Sequence, residues 1–283
     1  MKKKEAGILS PGFGQQKKIG VIFHPEFMGV GQKRVMEGEI EEIVEEVFNL
    51  LRLEHCDLFF DPFAAKAMGE SPTDIPDMDI DLALIFGGDG TILYSLSKLR
   101  RNPLILGINA GRVGYLSELS FQNASAGIKK VLLGEYDVDL RDKIEFVLKE
   151  KKYDALNEVA VFSAGFMNLM EFEVSLDHKF LCEFRADGVI ISTQTGSTGH
   201  SLSAGGPVIH PRSQAFAITA VNPFMRSRPP YIVPDDAEIS VKLKRKGRSG
   251  TVVCDGNAVG SLGFGDTVSV KKSGRKVKFV SIE

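Results

Sequence analysis

The chain has 283 residues, 43% hydrophobic and 25% charged, the make-up of an ordinary globular protein with room for two modest domains. A formal net charge of −2 argues against a general nucleic-acid binder, and no apolar run reaches the length of a membrane span. Cys56, Cys182 and Cys254 lie far apart without a CxxC pair, and the five histidines do not reach metal-site spacing with them, so reduced thiols in a cytoplasmic protein with no structural metal are expected.

Residues 1–16 are rich in Lys, Gly and Gln without periodicity, which predicts a flexible leader. An α/β domain is expected over 17–134. Ile19–Phe23 reads as a buried strand. Apolar residues at Met36, Ile40, Ile43, Val44, Val47, Leu50 and Leu51 share one helical face, with glutamates on the others. Cys56–Phe60 is a second strand, followed by a Pro- and Asp-rich loop. Leu82–Phe86 is a third strand, Thr91–Arg100 a helix, and Leu104–Gly107 a fourth strand. This alternation implies a mostly parallel sheet.

After a helix at about Phe121–Leu133 the pattern changes, and 135–283 reads as an all-β domain. Short alternating strands occur at Lys143–Lys149, Val159–Phe162, Phe172–Leu176, Val189–Ser192, Phe216–Ala220, Ile239–Leu243, Thr251–Cys254 and Thr267–Lys271. The lysines and arginines at 242–248 and 271–278 read as two solvated hairpin tips rather than a phosphate or nucleic-acid patch.

Phe86-Gly87-Gly88-Asp89-Gly90-Thr91 follows an apolar strand and opens a helix, the place where open α/β sheets bind ligands. Glycines there let backbone N–H groups reach phosphate oxygens. Asp89 could serve as a general base toward a hydroxyl or as a magnesium partner. The plainer alternative is a tight turn in which Asp89 caps the helix at Thr91. There is no GxxxxGK[ST] and no GxGxxG after a strand, which disfavours Walker-type NTPases and dinucleotide dehydrogenases. A second cluster runs from Arg185-Ala186-Asp187-Gly188 through Thr193-Gln194-Thr195-Gly196-Ser197-Thr198-Gly199-His200-Ser201-Leu202-Ser203 to Gly206-Pro207. So many hydroxyls and glycines suit a loop that wraps a sugar and its phosphates. On the residues alone, Asn157-Glu158 is a polar turn between strands.

Taken in order, the GGDGT turn, the segment Pro103–Leu116 with Asn109-Ala110-Gly111-Arg112, Asn157-Glu158, the Asp187 loop cluster and Asp255-Gly256 resemble the NAD kinase family. The likeness runs from about Ile19 to Phe279. It implies an α/β amino-terminal domain and a β-rich carboxyl-terminal domain that binds substrate and forms oligomers. It implies that ATP, with a divalent cation such as Mg²⁺, phosphorylates the 2′-hydroxyl of the adenosine ribose of NAD. Positioning and charge neutralisation then do most of the work.

By the same resemblance Asp89 takes the hydroxyl proton, and Gly87, Gly88, Gly90, Thr91 and Tyr94 lie at the phosphates. Asn157 and Glu158 read ribose and adenine edges. Arg185 and Asp187 meet the far ribose or nicotinamide end, often across a subunit boundary, in a homodimer or homotetramer. Thr195, Thr198, Gly199, His200, Ser201, Ser203 and Asn257 line the nucleotide. Tyr94 stands where Arg or Lys is usual, Gln194 where Pro is, Gly199 where Ala is, His200 where Tyr is and Asn257 where Gln is. The sequence ends at Glu283 without the tail helix many members carry. These departures keep open a kinase of the same fold acting on another nucleoside or sugar alcohol, and a catalytically weak nucleotide-binding regulator. No nucleic-acid or membrane partner is expected.

Overall fold

The computed structural model describes residues 17–23, 39–109, 114–165, 169–224 and 229–282. The expected leader at 1–16, the Met36 end of the first expected helix and Ala110–Val113 lie outside these. By compactness the chain forms two units: residues up to Asp139 together with the segment from Lys278, and Leu140–Val277.

The first unit runs β1 (Lys18–Phe23), α1 (Glu39–Leu53), β2 (Asp57–Phe60), α2 (Pro62–Met68), β3 (Leu82–Phe86), α3 (Asp89–Lys98), β4 (Leu104–Asn109), β5 (Leu119–Ser120) and α4 (Ala124–Leu132). The order β2-β1-β3-β4 is parallel throughout, with Val21 beside both Phe60 and Leu84, and Leu84 beside Leu106. The continuous apolar runs of β3 and β4 suit strands covered on both faces. Val44, Val47, Phe48 and Leu51 of α1 and Ile128 and Val131 of α4 enter the core of these strands. Burying side chains of this size contributes about 1.5–3 kcal/mol each.

The Pro- and Asp-rich loop after β2 contains a helix that the sequence reading missed. Asp61 supplies the N-cap, its carboxylate accepting the Ala64 N–H at 2.8 Å; Pro62 starts α2, and Gly69 closes it in a left-handed conformation.

The second unit contains β6 (Asp137–Leu148), which crosses the boundary, then β7 (Lys151–Ala155), β8 (Glu158–Ser163), β9 (Met170–Leu176), β10 (Lys179–Ala186) and β11 (Gly188–Ser192). A short helix α5 (His200–Ser203) follows, then β12 (Ala215–Val221), β13 (Tyr231–Pro234), β14 (Ile239–Leu243), β15 (Gly250–Cys254), β16 (Asn257–Leu262) and β17 (Thr267–Ser281). One antiparallel sheet has the order β13-β12-β11-β8-β15-β16; β10-β9-β14-β17 form another. Their inner faces share one core, with Phe172, Val241 and Val268 from one sheet and Val161, Ile191, Phe216 and Val252 from the other. Alternating burial along β9, β14 and β15 produces these faces.

The basic stretch at 271–278 is not a hairpin tip. It lies inside the 15-residue β17, where Lys272 pairs with Asp142 and Asp235, Lys276 with Asp142, and Arg275 with Asp154. Among the described residues no helix is long and apolar enough to cross a membrane.

Candidate active site

In the first unit, β3 is followed by Gly87, whose N–H donates to the Ile108 carbonyl at 2.9 Å. A Cβ at Gly87 would stand 2.4 Å from Thr91 Oγ1, so the turn closes only around glycine. At Gly88 and Gly90 an added Cβ would meet nothing within 4 Å. Those two glycines leave open surface beside the start of α3, where first-turn N–H groups have no intrahelical acceptor and favour anions.

Asp89 is the first residue of α3, and Gly88 is its cap with no side-chain bond. The capping alternative is therefore corrected. The Asp89 carboxylate instead reaches the segment before β5, Oδ2 accepting the Tyr115 N–H at 3.0 Å and Oδ1 the Leu116 N–H at 3.1 Å. Residue 114 makes room for it: a Cβ on Gly114 would lie 2.2 Å from Asp89 Oδ1. Thr91 Oγ1 is buried without a hydrogen-bond partner. Tyr94 is exposed, and the Lys98 ammonium sits 5.7 Å from its ring centroid, so a cation stands one turn beyond position 94.

In the second unit the site grows from the turn between β7 and β8. Asp255-Gly256 forms the two-residue loop of the β15–β16 hairpin, both residues at positive φ (44° and 79°), as Asp-Gly hairpin loops require. The loop aims the Asp255 carboxylate at the backbone of that turn. It accepts the N–H groups of Leu156 at 2.7 Å, Asn157 at 2.7 Å and Glu158 at 3.1 Å. From the other side, Thr193 donates its N–H to the Asn157 carbonyl at 2.9 Å and its hydroxyl to the Leu156 carbonyl at 2.6 Å. The turn is gripped from both sides.

Held this way, Asn157 and Glu158 approach Gly199, where a Cβ would lie 3.6 Å from Asn157 Nδ2 and 3.8 Å from Glu158 Oε2. Glu158 Oε2, Asn157 Oδ1 and Ser192 Oγ are buried without hydrogen-bond partners. Buried polar atoms in that state are costly unless something else satisfies them. Burial, and then the neighbouring Asp255 charge, push the Glu158 carboxyl up to about 7. Burial also raises Asp255, while the three N–H donors and Lys143 pull it back.

The loop residues divide into two groups. Thr195 is buried and lends its carbonyl to Thr198 Oγ1 at 3.2 Å. Ser201 is fully buried, bonded to Thr219 at 3.1 Å, and so packs the loop. Ser203 is exposed on α5, and Asn257 is exposed with its amide on the Asp255 carbonyl at 3.2 Å. Gln194 is buried and donates to the Ser213 carbonyl. His200 is exposed, its ring stacked on Phe162 with centroids 5.6 Å apart.

Arg185 and Asp187 are not brought to Glu158. Ser192 pairs with Glu158 at one end of β11 and Gly188 with Phe162 at the other, which puts Asp187 about 16 Å along the strand. There Asp187 accepts from Asn222 Nδ2 at 3.1 Å, and Arg185 faces Glu171 at 3.6 Å. Sequence reasoning included Gly114, Thr193 and Asp255 in its motifs without their roles, and missed Phe162. Only Asp255 carried a usable signal, as an Asp-Gly pair between alternating strands.

Two family profiles match the chain, the ATP-NAD kinase N-terminal domain over residues 19–136 and the ATP-NAD kinase C-terminal domain over residues 156–282. A curated NAD kinase of Methanothermobacter thermautotrophicus is 40% identical over 210 residues, 74% of each chain. One from Chlorobium phaeobacteroides is 36% identical, covering 86% of this chain and 87% of its own. Among solved structures, an NAD kinase from Archaeoglobus fulgidus in complex with ATP superposes with a TM-score of 0.73 at 28% identity, over 93% of this chain and 92% of that one. Yeast NADH kinase complexed with NADH has a TM-score of 0.81 at 22% identity, over 95% and 84%, a likeness of fold.

Proposed function

The chain belongs to the ATP-NAD kinase family, and we infer from that premise how its residues divide the work of phosphorylating NAD. It is an ATP-dependent NAD kinase, moving the γ-phosphate of ATP to the 2′-hydroxyl of the adenosine ribose. The observation that carries the assignment of roles is the set of buried, partnerless polar atoms on Asn157, Glu158 and Ser192. A hydroxyl- and nitrogen-bearing ligand such as a nucleoside would satisfy them.

In the proposed reaction Asp89 takes the 2′-hydroxyl proton, the ribose oxygen bonds to the γ-phosphorus, and the bond to the β–γ bridging oxygen breaks to release ADP. The two N–H groups of Tyr115 and Leu116 hold the Asp89 carboxylate in one orientation, which suits a positioned base. Gly88, Gly90 and the start of α3 would take donor phosphates. Asn157, Glu158 and the Thr195–Gly199 loop would take the acceptor nucleoside. Asp187 and Arg185, at the far end of β11, would serve the site of a second copy in a homodimer or homotetramer.

Among the described residues no group of three or more His, Cys, Asp or Glu could hold a metal ion. We propose that Mg²⁺ is carried in on the ATP phosphates, where it would neutralise charge, since Mg²⁺ is commonly held by substrate phosphates and water with one or two carboxylates. We place the enzyme in the cytoplasm, in keeping with its free cysteines.

The test is direct. Incubation with Mg-ATP and a panel of alcohols including NAD and NADH, with products identified by mass, should give 2′-phosphorylated dinucleotide. Phosphorylation of another alcohol with none of NAD or NADH would overturn the reading. Light scattering during turnover should show an oligomer; a fully active monomer would remove the assigned role of Asp187.

A further inference from the structure

The Asp255 carboxylate spends three hydrogen bonds on the backbone that carries Asn157 and Glu158. We propose that Asp255 is a positioning residue: it holds the Asn157 and Glu158 side chains facing Gly199 and sets the charge that Glu158 presents there. The inference rests on the reading that these two side chains meet the acceptor.

The geometry supports both parts. A turn anchored at three successive N–H groups has little freedom to rotate, and the Thr193 bonds to its two carbonyls remove most of what remains. The hairpin answers in kind, since the Asp255 N–H donates to the Glu158 carbonyl at 3.1 Å. The Asp255 charge is felt at the Glu158 carboxyl, and two like charges in a buried place do not both ionise readily.

Three N–H donors and Lys143 favour the charged form of Asp255 against its burial, whereas Glu158 Oε2 has no partner. The other titratable groups around the pair are Cys254 and Asp154 on the neighbouring strands and His200 beyond Gly199. Near neutrality Glu158 then carries a proton much of the time. It can donate to a ligand oxygen or nitrogen, and it adds little negative charge beside a dinucleotide's phosphates.

Asp255→Asn separates this role from a merely structural one. Asparagine keeps one acceptor oxygen, so at least one of the three N–H bonds is lost, and the charge is gone. Infrared titration of the Glu158 carboxyl, assigned by its loss in Glu158→Gln, should show a midpoint near about 7 in the wild type and a lower one in Asp255→Asn. Calorimetry with NAD should show binding weakened roughly 5- to 100-fold, with KM rising more than kcat falls.

An unchanged Glu158 midpoint together with unchanged NAD affinity would overturn the proposal. If Asp255→Asn does not fold, Glu158→Gln decides alone. NAD affinity in that variant must lose its dependence on pH around neutrality, and persistence of the dependence would overturn the proposal. A wild type that shows the Glu158 midpoint but phosphorylates no NAD would instead sink the functional reading and leave the placement by Asp255 standing.

Discussion

Gly196 lies against the carbonyl of Asn157 so closely that a Cβ at 196 would sit 2.1 Å from the oxygen and 2.4 Å from the carbon. Both contacts are backbone, and the Asn157 backbone is itself fixed by Asp255 and Thr193. Nothing there can yield cheaply. Gly196→Ala should destabilise the protein by about 1–3 kcal/mol through overpacking and weaken NAD binding by displacing Asn157. Thermal melting and calorimetry with NAD check both halves; a variant with wild-type melting and binding would show that the loop relaxes freely.

Gly90 should behave in the opposite way. It sits within the first turn of α3 with open space around its Cβ position. Gly90→Ala should therefore leave the unliganded protein as stable or raise stability by about 0.5–1 kcal/mol, since alanine suits a helix better. KM for ATP should still rise several-fold, because the methyl group occupies the approach to the helix start. An unchanged KM would mean that donor phosphates do not come near Gly90.

Asp89→Asn tests the base. Asparagine retains one acceptor for Tyr115 or Leu116, so the local fold should survive, while a group able to take a proton is removed. Turnover should fall by about 10²–10⁴, with NAD affinity within a few-fold by calorimetry. Near-normal turnover would reduce Asp89 to a device that holds the loop before β5.

Glu158 also predicts a pH dependence of stability. Its carboxyl titrates at about 7 in the fold against an ordinary 4.5, so between those values the folded chain binds more protons than the unfolded one. Stability from this group is full below about pH 4.5 and is lost as pH rises through about 7, by up to about 3 kcal/mol. Glu158→Gln should flatten that slope and stabilise the unliganded protein at pH 8 relative to wild type, measured by denaturant melts. A variant as pH-sensitive as the wild type would place the titrating group elsewhere.

Much of this was legible in the sequence because the signals are local. The five apolar residues of β3, the glycine turn and the helix behind it are contiguous, and alternation along β9, β14 and β15 reports a sheet with one buried face. Other features needed the fold. The partners of the Asp89 carboxylate lie 26 and 27 residues away, and those of Asp255 97 to 99 residues away, distances over which no periodicity speaks. The stretch after β2 was read as a Pro- and Asp-rich loop, whereas Pro62 at the first helical position favours a helix start. The basic run at 271–278 looked like a solvated tip because its acidic partners come from elsewhere in the chain, Asp142 from β6, Asp154 from β7 and Asp235 from the turn after β13.

The route of β17 has a consequence for the order in which the chain folds. Its last residues belong to the first unit: Lys278 and Phe279 lie parallel to Leu104 and Ile105, Val280 is buried in that core, and the Ile282 N–H donates to Glu118 at 2.6 Å. During synthesis β4 emerges long before these partners, and the whole second unit must be translated in between. Until then that flank of β4 presents unpaired backbone groups and an incomplete core, an invitation to mispairing with other nascent chains. The first unit is thus completed only after the whole of the second has been translated.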